Sequence, residues 1–199
     1  MNKIFSTIAA VVLIVATSFA QEKYGARIGY SYNDPTGDGS DEVDGGYAIG
    51  AGVVAILPIS DVLAIRSGVE INYNKLFGVS ENLGNGVKIE AYVNEFLITV
   101  PVMAEYNLGD AWLGAGVQLG LPFRSEIHTE ISGAGALDGT ETEKANGRAT
   151  FDLGLAIGGG YNITPNIGID VRVVIGLTDI SNSDGASINQ YGGGLYYMF

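Results

Sequence analysis

Residues able to carry chemistry fall into three groups in this chain. The single histidine, His128, lies in a polar stretch beside Ser125, Glu126, Thr129 and Glu130. Serine, histidine and a carboxylate are the parts of a nucleophilic triad, in which the imidazole takes the hydroxyl proton and the acid orients the ring. In an extended strand Glu126, His128 and Glu130 share a face, because side chains alternate. Such residues also collect in polar loops with no catalytic role, so a solvated loop is expected and no catalytic residue is assigned. One histidine without any cysteine makes a poor transition-metal site.

The second group is the acidic segment NDPTGDGSDEVDGG, with Asp34, Asp38, Asp41, Glu42 and Asp44. Carboxylates two or three residues apart among glycines suit Ca²⁺, but the EF-hand order with its closing glutamate is missing. An acidic surface loop is expected there, and neither metal nor cofactor is assigned. The third group recurs on one parity of alternating segments: Lys23, Arg27, Arg66 and Arg172 with Glu70, Glu105, Asp152 and Asp170. The glycine runs Gly158–Gly160 and Gly192–Gly194 precede no helix, so they are crowded strand positions and not phosphate cradles.

Eight segments with a period of two must position these groups. They run from Lys23 to Tyr32, Gly46 to Leu57, Leu63 to Phe77, Val87 to Tyr106, Leu113 to Leu121, Phe151 to Tyr161, Ile167 to Leu177 and Ser187 to Phe199. In the first, Tyr24, Ala26, Ile28, Tyr30 and Tyr32 form one face, and Lys23, Arg27 and glycines form the other. The fourth changes phase between Val93 and Phe96, which predicts a bulge near Asn94 and Glu95. Pro101 lies inside the same segment and cannot donate to a ladder, so a second irregularity is expected there.

Connections alternate in length. Pro58–Val62, Asn107–Asp110 and Thr164–Asn166 are short; Asn33–Gly45, Gly78–Gly86, Arg124–Arg148 and Asp179–Ala186 are long. Short turns at one end, long loops at the other and an even strand number describe an all-β, eight-stranded antiparallel up-and-down transmembrane β-barrel. Its aromatic and β-branched row faces lipid and its small and charged row faces the lumen. Paired charges would then fill the narrow interior. Trp112, Tyr24, Tyr106, Tyr161, Tyr197 and Phe199 are expected to form an interfacial girdle.

The chain ends support this compartment. Met1 to Ala20 has Lys3, an apolar run from Ile8 to Ala16, then Ser18 and Ala20, and reads as a cleaved secretory signal. Residues 21–199 form the barrel domain. The last segment carries Tyr191, Leu195, Tyr197 and a terminal Phe199 on one face. It resembles the assembly signal of Gram-negative outer-membrane barrels. A net charge of −12 argues against nucleic acid as a partner.

Three segments resemble the small outer-membrane barrels of Bacteroidetes called PorT-like. They are Phe96–Gly109 (FLITVPVMAEYNLG), similar to the family's Leu-Glu-Ile-Pro strand, Phe151–Tyr161 (FDLGLAIGGGY) and Gly176–Ile180 (GLTDI). Thr99 stands where the family usually has an acidic residue. The resemblance covers residues 21–199 and implies an outer-membrane location, a link to secretion or gliding machinery for some members, and no catalytic residues. The expectation is a non-enzymatic, monomeric outer-membrane barrel with acidic extracellular loops and a filled lumen, in an envelope-structural, adhesion or partner-binding role. Its expected partners are outer-membrane lipid and lipopolysaccharide, the barrel assembly machinery and an envelope protein. A deacylase-like lipid-modifying enzyme and a narrow channel are the alternatives.

Overall fold

A computed structural model describes residues 22–37, 40, 44–84, 86–133, 138–145, 149–179 and 185–199. The expected signal peptide, and Asp38, Asp41 and Glu42 of the acidic loop, lie outside the described residues. Nine strands are present among those described: β1 (Lys23–Gly37), β2 (Gly46–Pro58), β3 (Leu63–Gly84), β4 (Val87–Leu108), β5 (Ala111–Ser132), β6 (Gly139–Lys144), β7 (Asp152–Asn162), β8 (Ile167–Gly176) and β9 (Ala186–Met198).

Every pairing is antiparallel. The pairs run β1–β2–β3–β4–β5–β7–β8–β9, and β9 returns to β1 from Gly25↔Met198 to Gly37↔Ala186. Eight strands thus close a ring, which leaves their backbone groups no open edge at mid-height. β6 stands outside it, paired to β5 from Glu126↔Lys144 to Ile131↔Gly139.

Tight turns sit at the end of the ring that holds the start of β1 and the end of β9. Between β2 and β3, the Ile59 and Ser60 N–H groups donate to the Leu63 carbonyl at 2.8 and 3.0 Å. Between β7 and β8, the Thr164 hydroxyl accepts from the Ile167 N–H at 2.9 Å. Gly109, at φ 85°, opens the β4–β5 turn in the left-handed region that glycine adopts without strain.

Two of the expected long loops, Gly78–Gly86 and Arg124–Arg148, are largely strand among the described residues. β3, β4 and β5 each run 22 residues. Gly78–Gly84 extends β3, and Arg124–Ser132 extends β5. These halves, with Val87–Glu95 of β4 and β6, build a four-stranded sheet that rises beyond the ring. Eight further residues of strand reach roughly 25 Å. Charged and polar residues outnumber apolar ones in these stretches, which is why they read as loop from composition.

The phase change in β4 is not a bulge in that strand. β4 keeps one alternation throughout, with Phe96, Ile98, Val102 and Tyr106 on the outer face and Glu95, Leu97, Thr99 and Met103 on the inner face. Beyond Phe96 the outer row continues as Asn94, Tyr92, Glu90 and Lys88, and the inner row as Val93, Ala91 and Ile89. The polarity of the surroundings inverts while the backbone does not. The actual bulge is in β5: Leu97 pairs with Pro122 and Phe96 with Arg124, leaving Phe123 as the extra residue. Pro101 behaves as expected, since pairing to β3 lapses between Ser67↔Val102 and Glu70↔Thr99. The Ser67 hydroxyl donates to the Pro101 carbonyl at 2.9 Å across that gap.

Candidate functional site

The inner face of the ring concentrates buried polarity. Arg27 on β1 reaches Asp170 on β8 with two donors, Nε to Oδ2 at 2.8 Å and Nη2 to Oδ1 at 2.6 Å. Its third donor, Nη1, meets Glu70 on β3 at 3.2 Å. Arg172 closes the layer with Nη2 at 2.9 Å from Glu70 Oε1. Glycine makes room for it: a Cβ at Gly29 would lie 2.7 Å from Arg27 Nη1, and one at Gly194 2.6 Å from Nη2. One layer nearer the chain termini, Arg66 Nε donates to Glu105 at 2.6 Å. Three guanidiniums face three carboxylates, so these two layers are charge-balanced in a setting where desolvation is costly.

Two of the eight expected lumen charges are not in this network. Lys23 is exposed at the rim, because β1 begins there. Asp152 lies at the opposite end of the ring, beside a different cavity. Glu95 was not anticipated, being at the apparent phase change. It is 1% exposed, accepts from the Ser125 hydroxyl at 2.8 Å and is approached by Asn74.

Trp112 does not join the interfacial girdle. It was expected there, yet it is 3% exposed and packs inward with Met103, Ala156 and Val174. Its parity is that of the inner row, opposite to Leu113. The bare backbone of Gly160 receives the indole, since a Cβ there would lie 2.5 Å from Trp112 Nε1. The Arg66 guanidinium stacks 4.1 Å from the indole centroid and 5.0 Å from the Tyr196 ring. Tyr196, 1% exposed, accepts from Trp112 Nε1 at 3.3 Å and donates to Asn162 at 2.7 Å. Val54 and Met198 complete this layer, which fills the terminal end of the lumen. The remaining girdle residues, Tyr24, Tyr106, Tyr161, Tyr197 and Phe199, are exposed on the outer face.

Cavities of about 40 and 30 Å³ lie between the Arg27 layer and the far end, and one of about 20 Å³ lies between the two layers. Each holds a few waters at most. The Gln118 amide, donating to Gln190 at 3.0 Å, lines the first two. Asn74 Oδ1, buried beside both, has no protein partner and suits such a water.

The Ser125, Glu126, His128, Glu130 group separates onto two faces. Ser125 turns inward to Glu95, whereas Glu126, His128 and Glu130 lie on the outer face of the rising sheet. The His128 ring stacks on Tyr92 at 5.2 Å and 11°, and its Nδ1 lies 3.0 Å from the Thr142 hydroxyl. Lys75 sits 4.0 Å from the Tyr92 ring. Residues of four strands, Lys75, Tyr92, His128 and Thr142, thereby form one ladder, which is a scaffold role for the histidine. Lys88 pairs with Glu90, and Arg124 with Glu126 at 3.0 Å, on the same face. Asp34 lies in β1 and Asp44 just before β2. Among the described residues no group of three His, Cys, Asp or Glu side chains is placed to hold a metal ion.

The outer face of the ring is apolar all round, with Ile28, Ile49, Ile71, Leu113, Ile157 and Val171 each more than half exposed. A surface of that kind cannot face water. Neisserial surface protein A has a similar fold, with a TM-score of 0.52 at 12% identity over 88% of this chain and 97% of that one. Ail, the attachment invasion locus protein of Yersinia pestis, aligns at a TM-score of 0.47 and 12% identity, over 90% of this chain and 99% of its own. No curated protein matches the sequence. The family model of the outer membrane protein β-barrel domain matches residues 6–199. With its closed antiparallel ring and apolar girdle, the chain belongs to that family, and its place is the Gram-negative outer membrane.

Proposed function

We propose that this protein is a non-enzymatic, eight-stranded transmembrane barrel that anchors a protruding β-sheet at the cell surface for partner binding. One observation carries the reading: the lumen is filled by the Arg27–Glu70–Arg172–Asp170 layer and the Trp112–Tyr196 layer, while strands β3 to β6 extend beyond the ring. A filled lumen supports little conduction, and a rising sheet whose outward face carries Lys88, Glu90, Glu126, His128 and Glu130 has a use only outside the membrane. The termini and tight turns are then periplasmic and the rising sheet extracellular. Residues 1–20 serve as the cleaved signal, and the barrel acts as a monomer in outer-membrane lipid and lipopolysaccharide after delivery by the assembly machinery. The PorT-like kinship rests on the Phe96–Gly109, Phe151–Tyr161 and Gly176–Ile180 segments.

Surface labelling tests the orientation. A tag inserted at Gly135 should be labelled on intact cells, and labelling only after permeabilisation would invert the topology. The enzyme alternative is separated by lipid A mass spectrometry. With Ser125 and His128 on opposite faces, cells expressing the wild type, the His128→Ala variant or no barrel should show the same acyl pattern. Acyl loss with the wild type alone would establish a deacylase, since removing a catalytic base costs several orders of magnitude in rate.

A further inference from the structure

The rising sheet has two lateral edges, and they differ. On the β3 side the register slips twice, between Phe77 and Ser80 and between Asn82 and Gly84. Irregularities of this kind blunt an edge against pairing. On the β6 side the ladder to β5 is unbroken from Glu126↔Lys144 to Ile131↔Gly139, and among the described residues β6 pairs with nothing else. The Ala145 N–H donates to the Ser125 carbonyl at 3.1 Å. By antiparallel alternation Glu143 and Glu141 also direct their backbone groups to β5. The N–H and C=O groups of Thr140, Thr142 and Lys144 therefore point to the open side.

Side chains on that edge define what could pair with it. Thr140, Thr142 and Lys144 share the outer face, as the Thr142 contact to His128 requires. Glu141 and Glu143 project from the inner face and are exposed. Two copies of the chain joined edge to edge would set these glutamates against one another, and like charges across a ladder are destabilising. An added strand with Lys or Arg at alternate positions would instead lie beside them.

We propose that the open edge of β6 is a strand-addition site for an extended cationic segment of a partner protein, recognised by backbone pairing to Thr140, Thr142 and Lys144 and by Glu141 and Glu143. This deepens, and rests on, the partner-binding reading above. Backbone pairing supplies affinity and the alternate charges supply selection.

The test uses the full chain folded in detergent micelles and a peptide of about seven alternating valines and lysines. Binding should protect the amides of Thr140, Thr142 and Lys144 from hydrogen exchange. Thr142→Pro or Thr140→Pro removes an open-edge N–H that β5 does not use, so the barrel should fold while affinity falls by at least about tenfold. Methylating the peptide's pairing amides should do the same with the protein unaltered. The double variant Glu141→Gln, Glu143→Gln should weaken binding several-fold and flatten its salt dependence. Equal binding of the methylated peptide, unchanged affinity in both proline variants, or no binding to the wild type would each overturn the proposal. Surface labelling at Gly135 and unaltered lipid A separate the two readings: a barrel that passes both yet ignores the peptide defeats strand addition alone.

Discussion

Arg27→Ala should destabilise the folded ring by about 3 to 5 kcal/mol, because it leaves two buried carboxylates with a single remaining guanidinium. Arg27 makes both donor contacts to Asp170 and one to Glu70, and Gly29 and Gly194 leave a slot shaped for it. Water can follow the deletion only into cavities of a few molecules, so solvation recovers little of the loss. Urea unfolding of the barrel in micelles measures the change. Lys23→Ala at the exposed rim is the control and should stay within about 0.5 kcal/mol. The double variant Arg27→Ala, Asp170→Ala should cost less than the two single changes together, since it removes a charge along with its partner. An Arg27→Ala barrel as stable as the Lys23→Ala barrel would show that the layer is hydrated and not a dry ionic core.

Trp112→Ala should cost a similar amount, about 3 to 5 kcal/mol, by leaving a cavity that the rigid strands cannot collapse into. The indole also seats the Arg66 guanidinium and donates to Tyr196, so both lose a partner. Trp112→Phe keeps most of the volume and forfeits the N–H, for an expected loss of about 0.5 to 1.5 kcal/mol. Gly160→Ala approaches the same contact from the other side. Its Cβ would meet Ile169 carbonyl oxygen at 2.6 Å as well as the indole, so backbone must move. In planar bilayers the wild type should carry no steady current, while Trp112→Ala should raise the frequency of brief openings. Large stable currents from the wild type would favour the channel reading.

The sequence was a sound guide to face and a poor one to extent. Ile28, Ile71, Ile157 and Val171 alternate with Arg27, Glu70, Gly158 and Arg172 because lipid and lumen select opposite residue types at every second position. Above Phe96 that selection ends, and the same alternation continues with water on the outside. From sequence, Ile89, Ala91 and Val93 therefore read as a slipped phase, and Arg124–Arg148 reads as a loop. Trp112 was misassigned because aromatic residues suit both a girdle and a plug; its parity, opposite to Leu113, was the available signal.

Alternation, turn lengths and the outward aromatic rows were sufficient by themselves for an antiparallel outer-membrane architecture and for its inner and outer rows, since each is a local pattern imposed by the solvent a strand meets. Only the tertiary structure decided which charges pair, that Arg124–Ser132 is strand and so holds Ser125 and His128 on opposite faces, and that β6 pairs with β5 alone among the described residues. Those outcomes depend on register between strands as far apart as β1 and β8, and on a single extra residue at Phe123. A one-residue change in register reverses every face beyond it, and no local pattern records where such a change falls.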